Sequence, residues 1–363
     1  MSPNSQRVPE LPKISTAQVE LLERLSNAVA VSGDEREVRE IVIESVKPHA
    51  DDIRVDAMGN VLVTCKAKVE KPVRVMLDAH MDEVGFMIVE DEGEGIYAFE
   101  VMGGVDQRQL PGKVVLIGKD HLPGVIGVKP IHLTDSGELH TAIPVKNLRI
   151  DIGPGNAGKV TPGECGTFAT RFIQSGPSLI GKALDDRLGV ATLIELVKHH
   201  PHHVELLASF SVQEELGLRG AKIAAIALHP DIAIAIDSTP AIDLPRPDEK
   251  ENSQYNCKLD AGPAIYIADA GTLSDPRLIR FLAHTGDKYG IAYQYRQPGG
   301  GGTNAGAIHK ALGGIPSVSV SIPGRYAHTA ILMARLADWE NTLKLVHAAL
   351  LDLTPDILAV DRK

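Results

Sequence analysis

Two adjacent carboxylates, Glu214 and Glu215, lie in the segment VQEELGLRGA, where an apolar strand pattern gives way to a helical one. Neighbouring carboxylates repel each other, and no Lys or Arg shortly precedes them in the chain to relieve the repulsion. Solvent at an ordinary polar strand end is one explanation for such a pair. The other is a divalent cation that binds one carboxylate and leaves its neighbour for proton transfer.

Further acidic and histidine side chains are predicted at the ends of other strands or at a helix start. In an open α/β sheet, ligands bind beyond the carboxyl ends of the strands. Each residue alone has an ordinary explanation, such as a polar strand end, a helix N-cap or a loop histidine. Their joint position at one sheet edge favours a site for zinc or another borderline divalent ion. The residues are His80, Asp82, Asp185, Asp186, Asp237 and His328.

The bulk composition narrows the class of protein. The 363-residue chain has 37 Lys plus Arg and 47 Asp plus Glu, which gives a formal net charge of −10. This charge argues against nucleic acid or an anionic membrane surface as the main partner. The widely spaced Cys65, Cys165 and Cys257 predict neither a disulfide framework nor a thiolate zinc site. Residues 1–15 lack the apolar stretch of a signal peptide, so we expect a soluble cytoplasmic protein.

Apolar periodicity predicts two domains. Residues 1–84 and 177–363 alternate strand and helix patterns, which is typical of a mostly parallel sheet covered by helices on both faces. Residues 85–176 contain only short strand-like runs separated by Gly, Pro and Asp turns, which indicates an inserted small β-barrel or sandwich. Because the insertion has no clustered ligand set, we expect it to mediate assembly and the α/β domain to carry the chemistry.

Two glycine-rich segments resemble nucleotide-binding loops but lack required residues. GPGNAGKV (153–160) has no Ser or Thr after the lysine and precedes a turn and a strand rather than a helix. PGGGGTNAG (298–306) has no acidic residue about 20 positions later to bind a ribose. The second segment follows a predicted strand, so we expect it to border the candidate site and to contact substrate through Gly301, Gly302, Thr303 and Asn304.

Five ordered motifs together resemble the M42 family of dinuclear metallo-aminopeptidases. The family is of the TET type and includes glutamyl aminopeptidases once described as endoglucanases. The resemblance covers most of the chain, including the insertion, and implies a homo-oligomer such as a tetrahedral dodecamer. The motifs are DAHMDEVGF, KALDDRLGVA, VQEELGLRGA, AIDST and IPGRYAHT.

The resemblance implies a ligand set for two divalent ions per chain, zinc or cobalt. His80 and Asp237 would bind one ion, and Glu215 and His328 would bind the other. Asp185 would bridge the two ions.

The resemblance also implies catalytic roles for two further residues. Asp82 would hydrogen-bond the second ring nitrogen of His80 and so fix its tautomer. Glu214 would act as the general base, which accepts a proton from the attacking water and passes it to the leaving amine. A non-proline cis peptide bond between Asp185 and Asp186 is expected beside the bridging carboxylate.

These assignments imply an aminopeptidase that hydrolyses N-terminal residues from short peptides. A glycoside hydrolase is an alternative, because paired carboxylates also serve that chemistry, although Asp185, His80 and His328 would then have no task. Only 4% of the residues are aromatic, which leaves few platforms for stacking a sugar. A non-catalytic assembly protein with a vestigial metal site is a second alternative.

Asn304 departs from the family pattern, which commonly has Asp in G-G-T-D-A. One negative charge fewer beside the substrate would weaken attraction for a cationic N-terminal residue by about 1 kcal/mol. We therefore expect Asn304→Asp to shift selectivity toward Lys or Arg substrates. The alternative is that Asn304 only caps the predicted helix AGAIHKAL, since Asn and Asp cap about equally well.

Overall fold

The computed structural model describes residues 10–248, 250, 252 and 257–359. Residues 1–9, which belong to the N-terminal stretch discussed above, lie outside the described part. The described residues form an eleven-stranded sheet with helices and a closed barrel of six strands. The predicted α/β fold with an inserted β-barrel is confirmed. No helix in the described ranges is long and apolar enough to span a membrane.

The α/β domain begins with two helices and three strands, which lead into the insertion. Its first helix starts with a capping box, in which the Ser15 side chain accepts a hydrogen bond from the backbone and the Gln18 side chain accepts one from the Ser15 backbone N–H. The elements are α1 (Thr16–Asn27), α2 (Arg36–Val46), β1 (Asp52–Val55), β2 (Val61–Cys65) and β3 (Val73–His80).

The inserted barrel contains six strands and short 3-10 turns. Its strands close in the order β4-β5-β8-β7-β6-β9 around three phenylalanines, with Phe86 in edge-to-face contact with Phe99 and Phe168. The strands are β4 (Gly85–Asp91), β5 (Ile96–Met102), β6 (Val114–Ile117), β7 (Leu122–Ile126), β8 (Ile150–Asp151) and β9 (Cys165–Phe168).

The chain then returns to the α/β domain. The predicted helix AGAIHKAL is helical over only four residues, Ala305–Ile308. The remaining elements are β10 (Ile173–Ser175), β11 (Ser178–Gly181), α3 (Leu184–Lys198), β12 (Val204–Ser211), α4 (Arg219–Leu228), β13 (Ile232–Pro240), β14 (Ala264–Tyr266), α5 (Pro276–Tyr289), β15 (Gln294–Arg296), α6 (Ala305–Ile308), β16 (Ser317–Arg325), β17 (Leu332–Arg335), α7 (Leu336–Asp352) and α8 (Asp356–Ala359).

Parallel pairing is concentrated at the centre of the large sheet. The main path runs β1-β2-β12-β3-β13-β16-β17-β11-β10, and the neighbours from β12 to β16 pair in parallel. Strands toward both ends of this path pair antiparallel. The central strands are buried almost throughout, because α3, α5 and α7 cover one face and α4 and α6 the other. Their carboxyl ends therefore form one edge on a rigid core.

Candidate metal centre

The parallel register brings the predicted ligands of different strands together. His80 ends β3 and pairs with Ser211 at the end of β12, and Asp237 lies near the end of the neighbouring β13. The Nε2 atom of His80 is 3.7 Å from Oδ1 of Asp237. The start of α3 adds Asp185, whose Oδ1 is 3.3 Å from the same nitrogen.

Two groups of ligand-type side chains result. In each group the candidate ligand atoms lie within 4.8 Å of one another. The first group is buried, and the second is partly exposed, with His328 the most exposed member. We call them the buried group (His80, Asp186, Asp237) and the exposed group (Asp185, Glu215, His328).

Asp185 belongs to the exposed group and also faces the buried group. Its Oδ1 is 3.3 Å from Nε2 of His80, whereas its Oδ2 is 3.7 Å from Nε2 of His328. The Oε2 atom of Glu215 is also 3.7 Å from Nε2 of His328. This arrangement suits a carboxylate that bridges two cations, one in each group.

The electrostatics of the centre fit a cation-binding site. Burial, together with repulsion from neighbouring carboxylates, raises the pKa of Glu214, Glu215 and Asp237 above the ordinary value. A divalent cation would relieve this repulsion. Imidazole nitrogens and carboxylate oxygens are suitable ligands for zinc and cobalt, so the residues present fit the implied ions.

Asp82 supports both His80 and the glutamate pair. Its carboxylate accepts hydrogen bonds from the backbone N–H groups of Glu214 (3.0 Å) and Glu215 (3.2 Å), and from the Ser32 hydroxyl (2.6 Å). The Nδ1 atom of His80 is 3.1 Å from the Asp82 carbonyl oxygen and 3.5 Å from the carboxylate. Contact with Asp82 is therefore present, but the shorter bond is to the backbone.

This contact defines which nitrogen of His80 faces the ligand group. A carbonyl oxygen only accepts hydrogen bonds, so Nδ1 carries the proton and Nε2 presents its lone pair toward Asp185 and Asp237. Burial lowers the pKa of His80, but the surrounding carboxylates outweigh it and raise the pKa well above its usual value. Without a cation, Nε2 therefore also carries a proton, and a bound ion would displace this proton to use the lone pair.

The peptide bond between Asp185 and Asp186 is cis. The carboxylate of Asp186 accepts hydrogen bonds from the backbone N–H groups of His80 (3.2 Å) and Gly189 (3.0 Å). The sequence predicts Asp186 beside Asp185 in the acidic set at the sheet edge, but the family resemblance implies no ligand role for it. The structure places its carboxylate with His80 and Asp237.

The insertion also contacts the centre, which no motif in the sequence indicates. The Nδ1 atom of His328 is 2.9 Å from the carbonyl oxygen of Gly104, which follows β5 of the barrel. The side chain of Gln109 donates to the His328 carbonyl at 3.0 Å. A cavity of about 570 Å³ opens beside this contact, lined by Gly104, Asp106, Arg108, Gln109, Ala327, His328 and Thr329.

The predicted substrate loop divides into exposed and buried parts. Gly301 and Gly302 are exposed, whereas Thr303 and Asn304 are buried. The Asn304 amide donates to Oδ1 of Asp78 (2.6 Å) and to the Ser211 hydroxyl (2.9 Å). It makes no capping bond to α6, so the capping alternative is wrong. Contact of this loop with substrate stays a prediction.

A buried ion cluster lies beside the centre. The Glu83 carboxylate is 2.8 Å from the Lys182 amine and 3.1 Å from the Arg187 guanidinium, and all three side chains are almost fully buried. Thr167 of β9 donates to the same carboxylate at 2.7 Å. The cluster joins the loop after His80, the start of α3 and the barrel.

Comparison with known proteins places this fold in one class, the aminopeptidases of the M42 group. Residues 59–345 match the family described as M42 glutamyl aminopeptidase, so the chain belongs to the M42 family. Its members are hydrolases that act on peptide bonds, and the protein is such an enzyme.

Relatives are similar over nearly their whole length. The lysyl aminopeptidase of Pyrococcus furiosus is 31% identical, over 93% of this chain and 97% of that protein. An aminopeptidase structure from Desulfurococcus kamchatkensis is 32% identical with a TM-score of 0.88, over 94% of this chain and 96% of that one. The Pyrococcus horikoshii TET1 peptidase is 33% identical with a TM-score of 0.81, over 93% of this chain and 100% of that one. That peptidase can assemble into a tetrahedron or a large octahedral shell.

Proposed function

We propose that the protein is a dinuclear metal-dependent aminopeptidase that removes N-terminal residues from short peptides. The observation that carries this proposal is the position of Asp185, whose two carboxylate oxygens face His80 of the buried group and His328 of the exposed group. One carboxylate that faces two separate imidazoles suits a pair of cations better than a single one. Membership of the M42 family supports the peptide as the substrate.

The residues that would hold the ions are His80 and Asp237 for one, Glu215 and His328 for the other, and Asp185 for both. When bound, divalent ions lower the pKa of a coordinated water and polarise the scissile carbonyl.

Glu214 is proposed as the general base. Its backbone N–H is bonded to Asp82, which holds the residue beside Glu215. Burial raises its pKa, which brings a carboxylate closer to the range in which it accepts a proton and later returns it. Glu214 would thus take the proton of the attacking water and deliver it to the leaving amine.

Neither alternative function accounts for the site as well. A glycoside hydrolase needs only two carboxylates, so the two histidines and Asp185 would have no function in that mechanism. A vestigial site would be expected to lack ligands, whereas all five proposed ligands and the base are present. The family match to peptidases further supports the aminopeptidase.

We further propose a cytoplasmic homo-oligomer with zinc or cobalt bound, in which the insertion mediates assembly. The tetrahedral and octahedral assemblies of the similar TET1 peptidase support an oligomer. Exposed apolar side chains on the insertion, among them Ile131 and Leu133, support it as a contact surface.

Metal analysis and an aminopeptidase assay on the same purified sample test the function. We expect two zinc or cobalt ions per chain, hydrolysis of at least one aminoacyl chromogen, and loss of activity with a chelator. Hydrolysis of glycosides instead would support the glycosidase. A preparation with only trace divalent metal that is nevertheless fully active would refute the dinuclear mechanism.

A further inference from the structure

We propose that the inserted barrel completes the exposed group: its Gly103–Gly104 turn positions His328 and Glu215. The description of this group as a metal site rests on the proposed function. The contact between the domains does not, because it is a feature of the fold alone.

The contact with His328 determines how the imidazole ring is presented. The Gly104 carbonyl oxygen, 2.9 Å from Nδ1, can only accept a hydrogen bond, so Nδ1 carries the proton. The Nε2 lone pair then points toward Asp185 and Glu215, each with a carboxylate oxygen at 3.7 Å. Because 45% of the His328 side chain is exposed, packing alone does not hold the ring, and the carbonyl supplies the missing restraint.

The backbone of His328 also depends on the barrel. Its φ of +57° lies in the left-handed region, which is unfavourable for a residue with a side chain. Gln109 donates to the His328 carbonyl at 3.0 Å and thereby holds this backbone in place from the barrel side. We regard Gln109 as a positioning residue.

Close packing explains why two glycines form this turn. A Cβ atom on Gly103 would lie 3.2 Å from Cβ of Glu215 and 2.8 Å from a methyl carbon of Val84. A Cβ atom on Gly104 would lie 3.1 Å from Nδ1 of His328. Each glycine therefore lets the barrel backbone approach one member of the exposed group.

The buried group is held differently. His80 is oriented by Asp82, which follows it by two residues in the α/β domain itself. The two proposed ions would therefore differ in their dependence on the insertion. A change in the position of the barrel should weaken the ion in the exposed group and leave the ion in the buried group.

Gly104→Ala tests this dependence. The φ of Gly104 is not positive, so alanine can adopt the backbone, and the added methyl group displaces the imidazole by a few tenths of an ångström. Metal–ligand distances tolerate about 0.2 Å. In zinc titrations of the metal-free full-length protein, we expect one of the two binding steps to lose about 10- to 100-fold in affinity and the other to stay unchanged.

Gly155→Ala is the matched control, because Gly155 lies in the barrel with nothing within 4 Å of an added Cβ and without a positive φ. It should bind two zinc ions like the parent. If Gly104→Ala fails to fold, Gln109→Ala is the second variant. It removes the hydrogen bond from the Gln109 side chain to the His328 carbonyl and should weaken the same step by about 10-fold. Wild-type affinities in both variants would overturn the inference.

The tautomer of His328 gives a readout that needs no metal. Nitrogen-15 NMR of the metal-free parent, recorded at an alkaline pH where the imidazole is neutral, should show the proton on Nδ1. A neutral ring with its proton on Nε2 would overturn the inference, even if zinc binds twice. If the parent binds no zinc but shows the Nδ1 tautomer, the proposed function fails and the barrel contact stands.

Discussion

The amide nitrogen of Asn304 lies 2.6 Å from Oδ1 of Asp78, and both side chains are buried. Asp78 is two residues before His80 on β3, so this bond lies close to the candidate metal centre. Burial raises the pKa of Asp78 to about 6, although hydrogen bonds from Asn304 and Ser211 oppose the shift. The identity of residue 304 therefore affects a buried carboxylate.

Asn304→Asp should destabilise the protein in a pH-dependent way. The variant replaces a donor with a second carboxylate, and two buried carboxylates at this distance must share a proton. The folded-state pKa of a buried carboxyl such as Asp78, about 6, lies above the unfolded value of about 3.9. The variant therefore keeps its folding stability at low pH, where the carboxyls are protonated, and loses it as the pH rises through about 6 and above. Urea unfolding should show a loss of about 1–3 kcal/mol at pH 8 and less at pH 5.

Asn147→Asp on the exposed surface of the barrel is the control and should have little effect at either pH. The ratio of kcat/KM for Lys and Glu substrates should be measured on the same samples. The shift toward Lys or Arg substrates, expected from the sequence alone, requires Asn304 to act near the substrate. A several-fold shift with unchanged stability would contradict the buried arrangement as the main role.

The sequence predicts the ligands that adjacent parallel strands bring together. His80 and Asp237 follow apolar strand patterns, and parallel neighbours end at the same edge, so their proximity follows from the fold class. Contacts that depend on tertiary packing give no such pattern. Gly104 and His328 are 224 positions apart in the sequence, and their contact is made by a backbone carbonyl. A sequence motif, which consists of side-chain types, does not indicate such a contact. The burial of Asn304 is likewise set by packing, because the loop around it is polar and glycine-rich.

Glu214→Gln should separate proton transfer from metal binding. The amide keeps the size of the side chain but cannot accept the proton, so we expect two ions bound and a loss of at least about 10² in kcat. Asp185→Asn should instead reduce metal content, because a neutral amide bridges two cations poorly. Metal analysis with steady-state kinetics on both variants checks this. Near-normal turnover of Glu214→Gln would show that the base is another group.

Glu83→Gln should strongly destabilise the fold. It leaves the buried Lys182 and Arg187 without their carboxylate, and breaking such a pair costs about 3–5 kcal/mol. Denaturant unfolding measures the loss. Glu44→Gln, which breaks an exposed pair with Arg24, is the control and should cost about 1 kcal/mol or less. Equal losses in the two variants would refute a structural role for the buried cluster.

The insertion should provide an assembly surface through its exposed apolar side chains. Ile131 is 75% exposed and Leu133 60% exposed, which is unfavourable for large aliphatic groups unless another surface covers them. Replacing both with Asp should convert a large particle to a smaller one, as measured by size-exclusion chromatography with light scattering. Val55→Asp, at an exposed apolar position of β1 in the α/β domain, is the control and should keep the parent mass. An unchanged mass in the double variant would exclude this surface, and a strictly monomeric, fully active parent would exclude assembly by the insertion altogether.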